Sequence, residues 1–94
     1  MLFLKIKLEF SRHFLNERKK YVENNQQRFE DYKKAIILFT SNPAHPGLNT
    51  EKLRSVKGVY TFRLNRSDRV FIIWKEENIA LCVDIGKHDK YRRY

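Results

Sequence analysis

The sequence predicts one α+β domain in which a helical hairpin covers one face of an antiparallel sheet, in the order β-α-α-β-β-β. Three observations predict it. The chain has 94 residues, 41% of them hydrophobic, which is material for one small core over residues 1–94. The apolar period runs from two to about 3.6 and back to two along the chain. The stretch NPAHPGLN, Asn42–Asn49, stands at the second change, and its two prolines and one glycine mark a loop.

The elements follow in order. Leu2–Leu8 alternates, with Leu2, Leu4, Ile6 and Leu8 on one side and Phe3, Lys5 and Lys7 on the other, which reads as a half-buried strand. Ser11 is placed to cap a helix carrying Phe14, Leu15, Tyr21 and Val22 near helical spacing, and Asn24-Asn25 is its break. Phe29, Tyr32, Ile36 and Phe39 form the apolar stripe of a second helix, expected to be core. Pro43 disfavours helical geometry before it, so this helix ends by Ser41 or Asn42.

Beyond the loop, Tyr60, Phe62 and Leu64 alternate with Thr61, Arg63 and Asn65. After turn residues Asn65–Asp68, Val70, Ile72 and Trp74 oppose Arg69, Phe71 and Ile73. After a second turn at Glu76–Asn78, Ile79, Leu81, Val83 and Ile85 oppose Ala80, Cys82 and Asp84. Short turns make these strands an antiparallel meander. Two helices cover one face only, so the other face is expected to be open to solvent or a partner. Phe71, Asp84 and an inert Cys82 are expected there. The tail after Gly86, residues 87–94, is polar and basic, and is expected to be mobile unless its tyrosines dock or a partner orders it.

Composition excludes several classes. One cysteine allows neither an internal disulfide framework nor a cysteine-rich zinc site. The apolar runs are five residues at most, so no membrane span is expected. The opening MLFLKIKLEF is charged too soon for a signal peptide, and a reducing cytoplasm is the expected compartment. A metal site would need His13, His45 and His88 to converge from a helix start, a loop and the tail, so no metal and no other cofactor is expected. Twenty basic side chains against eleven acidic give a net charge of +9, which suits a polyanionic or acidic partner and also simple solubility.

The informative set is Arg63, Arg69, Lys87, His88, Tyr91 and Tyr94. With the helices on the Tyr60 and Val70 sets, Arg63 and Arg69 fall on the opposite face, on adjacent strands of a hairpin. Two neighbouring cations repel unless an anion lies between them, and a phosphate fits guanidinium geometry. From pattern alone, ion pairs with Asp68 or Asp84 fit them equally well. His88 reads equally as a plain tail residue, and the two tyrosines as docking side chains.

EKLRSVKGVYTFRLNRSDRVFIIW followed by LCVDIGKHDKY resembles the second half of the RelE/ParE toxin superfamily of type II toxin–antitoxin systems. The shared pattern is a loop, a "KL" element with a following glycine, a strand with an alternating basic residue, and an Arg-led strand, here Asp68-Arg69-Val70-Phe71. The last strand then ends in Gly86-Lys87-His88-Asp89-Lys90-Tyr91. The resemblance spans residues 35–91 by motif and the whole chain by element order.

It implies a RelE-like fold and one of two activities. Ribosome-dependent members are mRNA interferases, which cut mRNA without a metal through attack of a 2′-hydroxyl on the neighbouring phosphate. ParE-like members inhibit DNA gyrase and are not nucleases. The set Arg63, Arg69, His88 and Tyr91 points to the first: arginines stabilise phosphate charge, histidine moves protons near neutral pH, and tyrosine stacks on a base or aids proton transfer. Lys52, Arg54, Lys57, Lys87 and Tyr94 are the implied substrate-binding residues. Tyr91 fits the shorter spacing from His88 and Tyr94 the longer one. Some nuclease members carry a basic residue where this chain has Thr61, so Lys52, Arg54 or Lys57 would have to substitute as general base. The implied partners are an acidic antitoxin encoded adjacently, the ribosome and its mRNA, and operator DNA only through the antitoxin complex.

Overall fold

The computed structural model describes residues 5–90. The elements are β1 (Lys7–Phe10), α1 (Arg12–Val22), α2 (Gln26–Ser41), a 3-10 turn (Pro46–Leu48), β2 (Glu51–Lys52), β3 (Val59–Arg63), β4 (Asp68–Glu76) and β5 (Ile79–Lys87). They form the expected α+β arrangement, a helical hairpin on one sheet. The sheet order is β1-β5-β4-β3-β2. The meander β3-β4-β5 is antiparallel, whereas β1 runs parallel to β5. The helical hairpin is the crossover that a parallel pairing needs: α2 ends beside the start of β1, where the Ile6 amide donates to the Thr40 carbonyl at 2.9 Å. Met1–Leu4 of the expected first strand lie outside the described residues, and Ile6 and Leu8 pack against the core as the alternation requires.

Local chemistry sets the helix ends. Ser11 Oγ accepts the amide of Phe14 at 3.0 Å. Asn24 takes the left-handed conformation at φ 55°, and the Asn25 side chain then caps α2 by accepting the Arg28 amide. Phe14 and Tyr21 of α1, and Tyr32, Ala35 and Phe39 of α2, enter one core with Leu48, Phe62, Val70, Ile72, Ala80, Cys82 and Ile85. Arg18 roofs its edge, with its guanidinium 5.3–5.8 Å from the rings of Phe10, Phe14 and Tyr32. Phe29 does not belong to this core. It lies one turn before Tyr32, and it is exposed with the Lys33 ammonium 4.9 Å from its ring.

The face of β5 also differs from the simple alternation. Ile72 pairs with Cys82 but Phe71 pairs with Asp84, so Val83 is an extra residue. This bulge lets Cys82 and Ile85 both join the core beneath the helices. Cys82 is therefore not on the far face, and burial pushes its thiol up to about 12, which leaves it inert as expected. The far face is not bare either. Val59, Thr61, Arg69 and Phe71 are buried, so this face is not simply open as the alternation suggests.

Candidate functional site

Strand register assembles a basic row at one end of the sheet. Arg63 pairs with Arg69, and Arg69 pairs with Gly86 on its other side. Asp68 and Lys87 form the next pair outward, and His88 follows directly. Directly opposed residues have Cα atoms roughly 4.5–5.5 Å apart, so the backbones of Arg63, Arg69, Lys87 and His88 lie close together, with Lys87 on the Asp68 side of the sheet by alternation. Alternation keeps both arginines off the helical side.

The two arginines are not equivalent. Arg63 is exposed. Arg69 is 8% exposed, because its guanidinium folds back on the turn and Nη1 donates to the carbonyls of Asn65 and Asp68, both at 3.0 Å. Burial, then the charge of Arg63, lower its pKa, while Glu51 and Asp68 act the other way. An arginine remains charged through such a shift, so Arg69 is a held, partly desolvated cation behind an exposed one. Among the described residues neither arginine forms an ion pair with Asp68 or Asp84, although the Asp68 charge still acts on Arg69. Asp84 is taken by Lys90 and His13, and Asp68 by Tyr21 and Asn65.

His88 stands at the rim. Its amide donates to the Ser67 carbonyl at 2.9 Å, and its Nδ1 lies 3.4 Å from the same oxygen. The tautomer protonated at Nδ1 can donate there, and it leaves Nε2 with a lone pair directed elsewhere. Lys87 is the last residue of β5 and exposed. Tyr91 and Tyr94 lie outside the described residues.

Lys52, Arg54 and Lys57 do not join this group. They line a shallow depression of about 510 Å³ with Leu53, where β2 leads into the loop before Val59. β3 runs from Val59 to Arg63, about 13 Å at 3.3 Å per residue. These cations therefore lie toward the Val59 end of β3, with Lys52 paired with Tyr60.

Two polar clusters had no signal in the sequence. In the first, Tyr21 Oη donates to Asp68 Oδ2 at 2.5 Å, and Asn65 Nδ2 faces Tyr21 Oη, Asp31 Oδ2 and Asp68 Oδ2 at 3.0–3.2 Å. Burial first, then the Asp68 carboxylate, push the Tyr21 phenol well above its ordinary value. In the second, Lys90 Nζ reaches Asp84 Oδ1 at 2.6 Å, Glu17 Oε1 at 3.0 Å and the Ile85 carbonyl at 3.0 Å. His13 Nε2 is 3.4 Å from the same Asp84 oxygen. His13, Glu17 and Asp84 can bring one ligand atom each within 4.8 Å of one another, and the Lys90 ammonium already occupies Asp84 Oδ1 and Glu17 Oε1. Among the described residues, Asp84 Oδ2 is buried without a hydrogen-bond partner. The three histidines do not gather: His45 accepts the Gly47 amide within its own loop. These clusters join residues up to 73 positions apart, so periodicity could not reveal them.

No family model and no curated protein sequence matches this chain. Solved structures do. The YoeB/ParE toxin from Agrobacterium tumefaciens superimposes with TM-score 0.72 at 13% identity, over 88% of this chain and 99% of that one. The E. coli DinJ-YafQ toxin–antitoxin complex gives 0.73 at 13%, over 93% and 97%. The YoeB dimer from Staphylococcus aureus gives 0.70 at 21%, over 89% and 98%. The RelE/ParE resemblance of the sequence thus holds as a likeness of fold: this chain folds as the YoeB and YafQ toxins do.

Proposed function

We propose that this protein is the toxin of a type II toxin–antitoxin pair and acts as a ribosome-dependent mRNA interferase. One observation carries the reading. Two directly paired arginines, one exposed and one held from behind, stand beside a histidine whose Nδ1 faces a carbonyl. A pair of like charges in register costs free energy in the empty protein. An anion between or over them recovers it, and the anion of greatest charge density in phosphodiester cleavage is the pentacoordinate phosphorane.

In this reading Nε2 of His88 takes the proton of the attacking 2′-hydroxyl. The new bond forms from O2′ to phosphorus, and the bond to the 5′-oxygen breaks. The leaving oxygen needs a proton, a role we assign to Tyr91. Arg63 contacts the phosphate oxygens, and Arg69 adds fixed charge behind it. Lys87 tracks the backbone beside them, with Tyr94 as the base-stacking residue. Lys52, Arg54 and Lys57 form a separate cationic surface for the ribosome rather than a second catalytic group. An acidic antitoxin is the partner such a +9 surface fits, and the similar DinJ-YafQ structure is a toxin–antitoxin complex. We place the pair in the cytoplasm.

Primer extension on a defined mRNA, with purified protein and with or without programmed ribosomes, tests this. Cuts that need the ribosome support it. Intact mRNA together with inhibited gyrase supercoiling would replace it with the ParE-like reading.

A further inference from the structure

Turns on a protein surface are ordinarily its looser parts. The Asn65–Asp68 turn is held from the inside. Asn65 Oδ1 accepts the amides of Ser67 and Asp68 at 3.1 and 3.0 Å. Asn65 Nδ2 is anchored to Asp31 of α2. The Asp68 carboxylate is buried and takes the Tyr21 hydroxyl at 2.5 Å. Tyr21 is itself fixed, since Arg28 lies 4.7 Å from its ring and donates to its carbonyl.

The other side of the same turn carries the site. The carbonyls of Asn65 and Asp68 hold Arg69 Nη1, and the carbonyl of Ser67 holds the amide of His88 and faces its Nδ1. Three carbonyls in four residues thus hold the two groups whose spacing cleavage depends on. We propose that Tyr21 is a positioning residue for the reaction: through Asp68 and Asn65 its hydroxyl sets the turn whose carbonyls hold Arg69 and His88. This rests on the nuclease reading. Tyr21 acts only through the turn. Its removal takes from a buried carboxylate its shortest hydrogen bond, so the turn must rearrange to find another donor. A displacement of about 1 Å at the reacting groups costs about a hundredfold in rate.

The test is Tyr21→Phe, which keeps the ring, beside Tyr32→Phe, which removes another buried hydroxyl, one that accepts from Arg18 and, among the described residues, makes no hydrogen bond to the turn. We expect kcat for mRNA cleavage on ribosomes to fall ten- to a hundredfold in Tyr21→Phe, with KM for ribosomes unchanged and Tyr32→Phe as wild type. Amide hydrogen exchange supplies a readout independent of activity. Exchange should speed up at His88 and Leu64, whose amides donate to Ser67 and Asp68 carbonyls, while the Phe39 amide in α2 stays protected. If Tyr21→Phe does not fold, Asp31→Ala removes the partly exposed outer anchor and should act in the same direction more weakly. Unchanged kcat with unchanged exchange overturns the proposal. So does an equal loss of protection at Phe39, which means Tyr21 only stabilises the fold. If wild type cleaves nothing, the nuclease reading fails, and the exchange pattern at His88 and Leu64 still decides whether Tyr21 holds the turn.

Discussion

At one end of β3 the cations are built in, and at the other they are merely present. Arg69 is buried, its Nη1 is committed to two carbonyls, and the turn behind it is tied to both helices. Lys52, Arg54 and Lys57 are exposed around a shallow depression. Charge alone does not distinguish the two ends. What differs is the cost already met in holding the group: desolvation and fixed geometry make a cation useful to a transition state, whereas a solvated one contributes attraction at a distance.

The largest expected effect is at the built end. Arg63→Ala should lower ribosome-dependent cleavage a hundred- to a thousandfold, about 2.7–4 kcal/mol of transition-state stabilisation, with urea unfolding unchanged because the side chain is exposed. Arg69→Ala should lose as much activity and in addition about 1–3 kcal/mol of stability, since two carbonyls lose their donor. Its stability cost is what separates it from Arg63. Cleavage that survives either change removes the phosphate role.

Next comes Lys90, a second cation that the fold has committed. Lys90→Met should destabilise by roughly 2 kcal/mol in urea melts, less than the 3–5 of a fully buried pair because Lys90 is partly exposed. A change below about half a kcal/mol would place Lys90 with the bare surface cations. The same variant gives a pH signature. Burial pulls the Lys90 pKa down, but hydrogen bonds to Asp84 and Glu17 outweigh it and the net shift is upward from 10.5. Its contribution is therefore complete below 10.5 and is lost as pH rises through the raised value. Wild type should lose Tm above pH 10.5 more steeply than Lys90→Met; the difference isolates Lys90 from Tyr21, whose pKa is also raised.

The smallest effect belongs to the other end of β3. Replacing Lys52, Arg54 and Lys57 together by Ala should weaken ribosome co-sedimentation and reduce the log–log salt slope by about 0.7 for each phosphate no longer neutralised. The cleavage rate of bound ribosomes should stay the same. A fall in that rate would show that both ends of β3 serve the chemistry, and the comparison between them would collapse.

Much of the fold is legible in the sequence, for identifiable reasons. Ser11, Asn25 and Pro43 act on their immediate neighbours, so the helix limits follow from local chemistry. Arg63 and Arg69 oppose each other because a short turn between alternating strands leaves few registers. The bulge at Val83 is not legible. One extra residue changes the face of everything before it, and nothing in the local composition marks it, so simple alternation puts Cys82 on the wrong side. Phe29 has the spacing of a core residue and is nonetheless exposed. Spacing selects a face of the helix, and it does not say how much of that face the rest of the fold covers.

By itself the amino-acid sequence determined the order of the elements, the meander and the opposition of Arg63 and Arg69. These follow from periods of two and 3.6, from caps and from turns, all set within a few positions. Only the tertiary structure decided which cation is held and which is free. Arg69 is buried because the turn beside it is pinned by Tyr21 and Asp31, and Lys90 is committed because Glu17 and Asp84 meet there. Those partners lie far away in sequence, and a hydrogen bond depends on where groups meet in space, which a pattern of hydrophobicity does not encode.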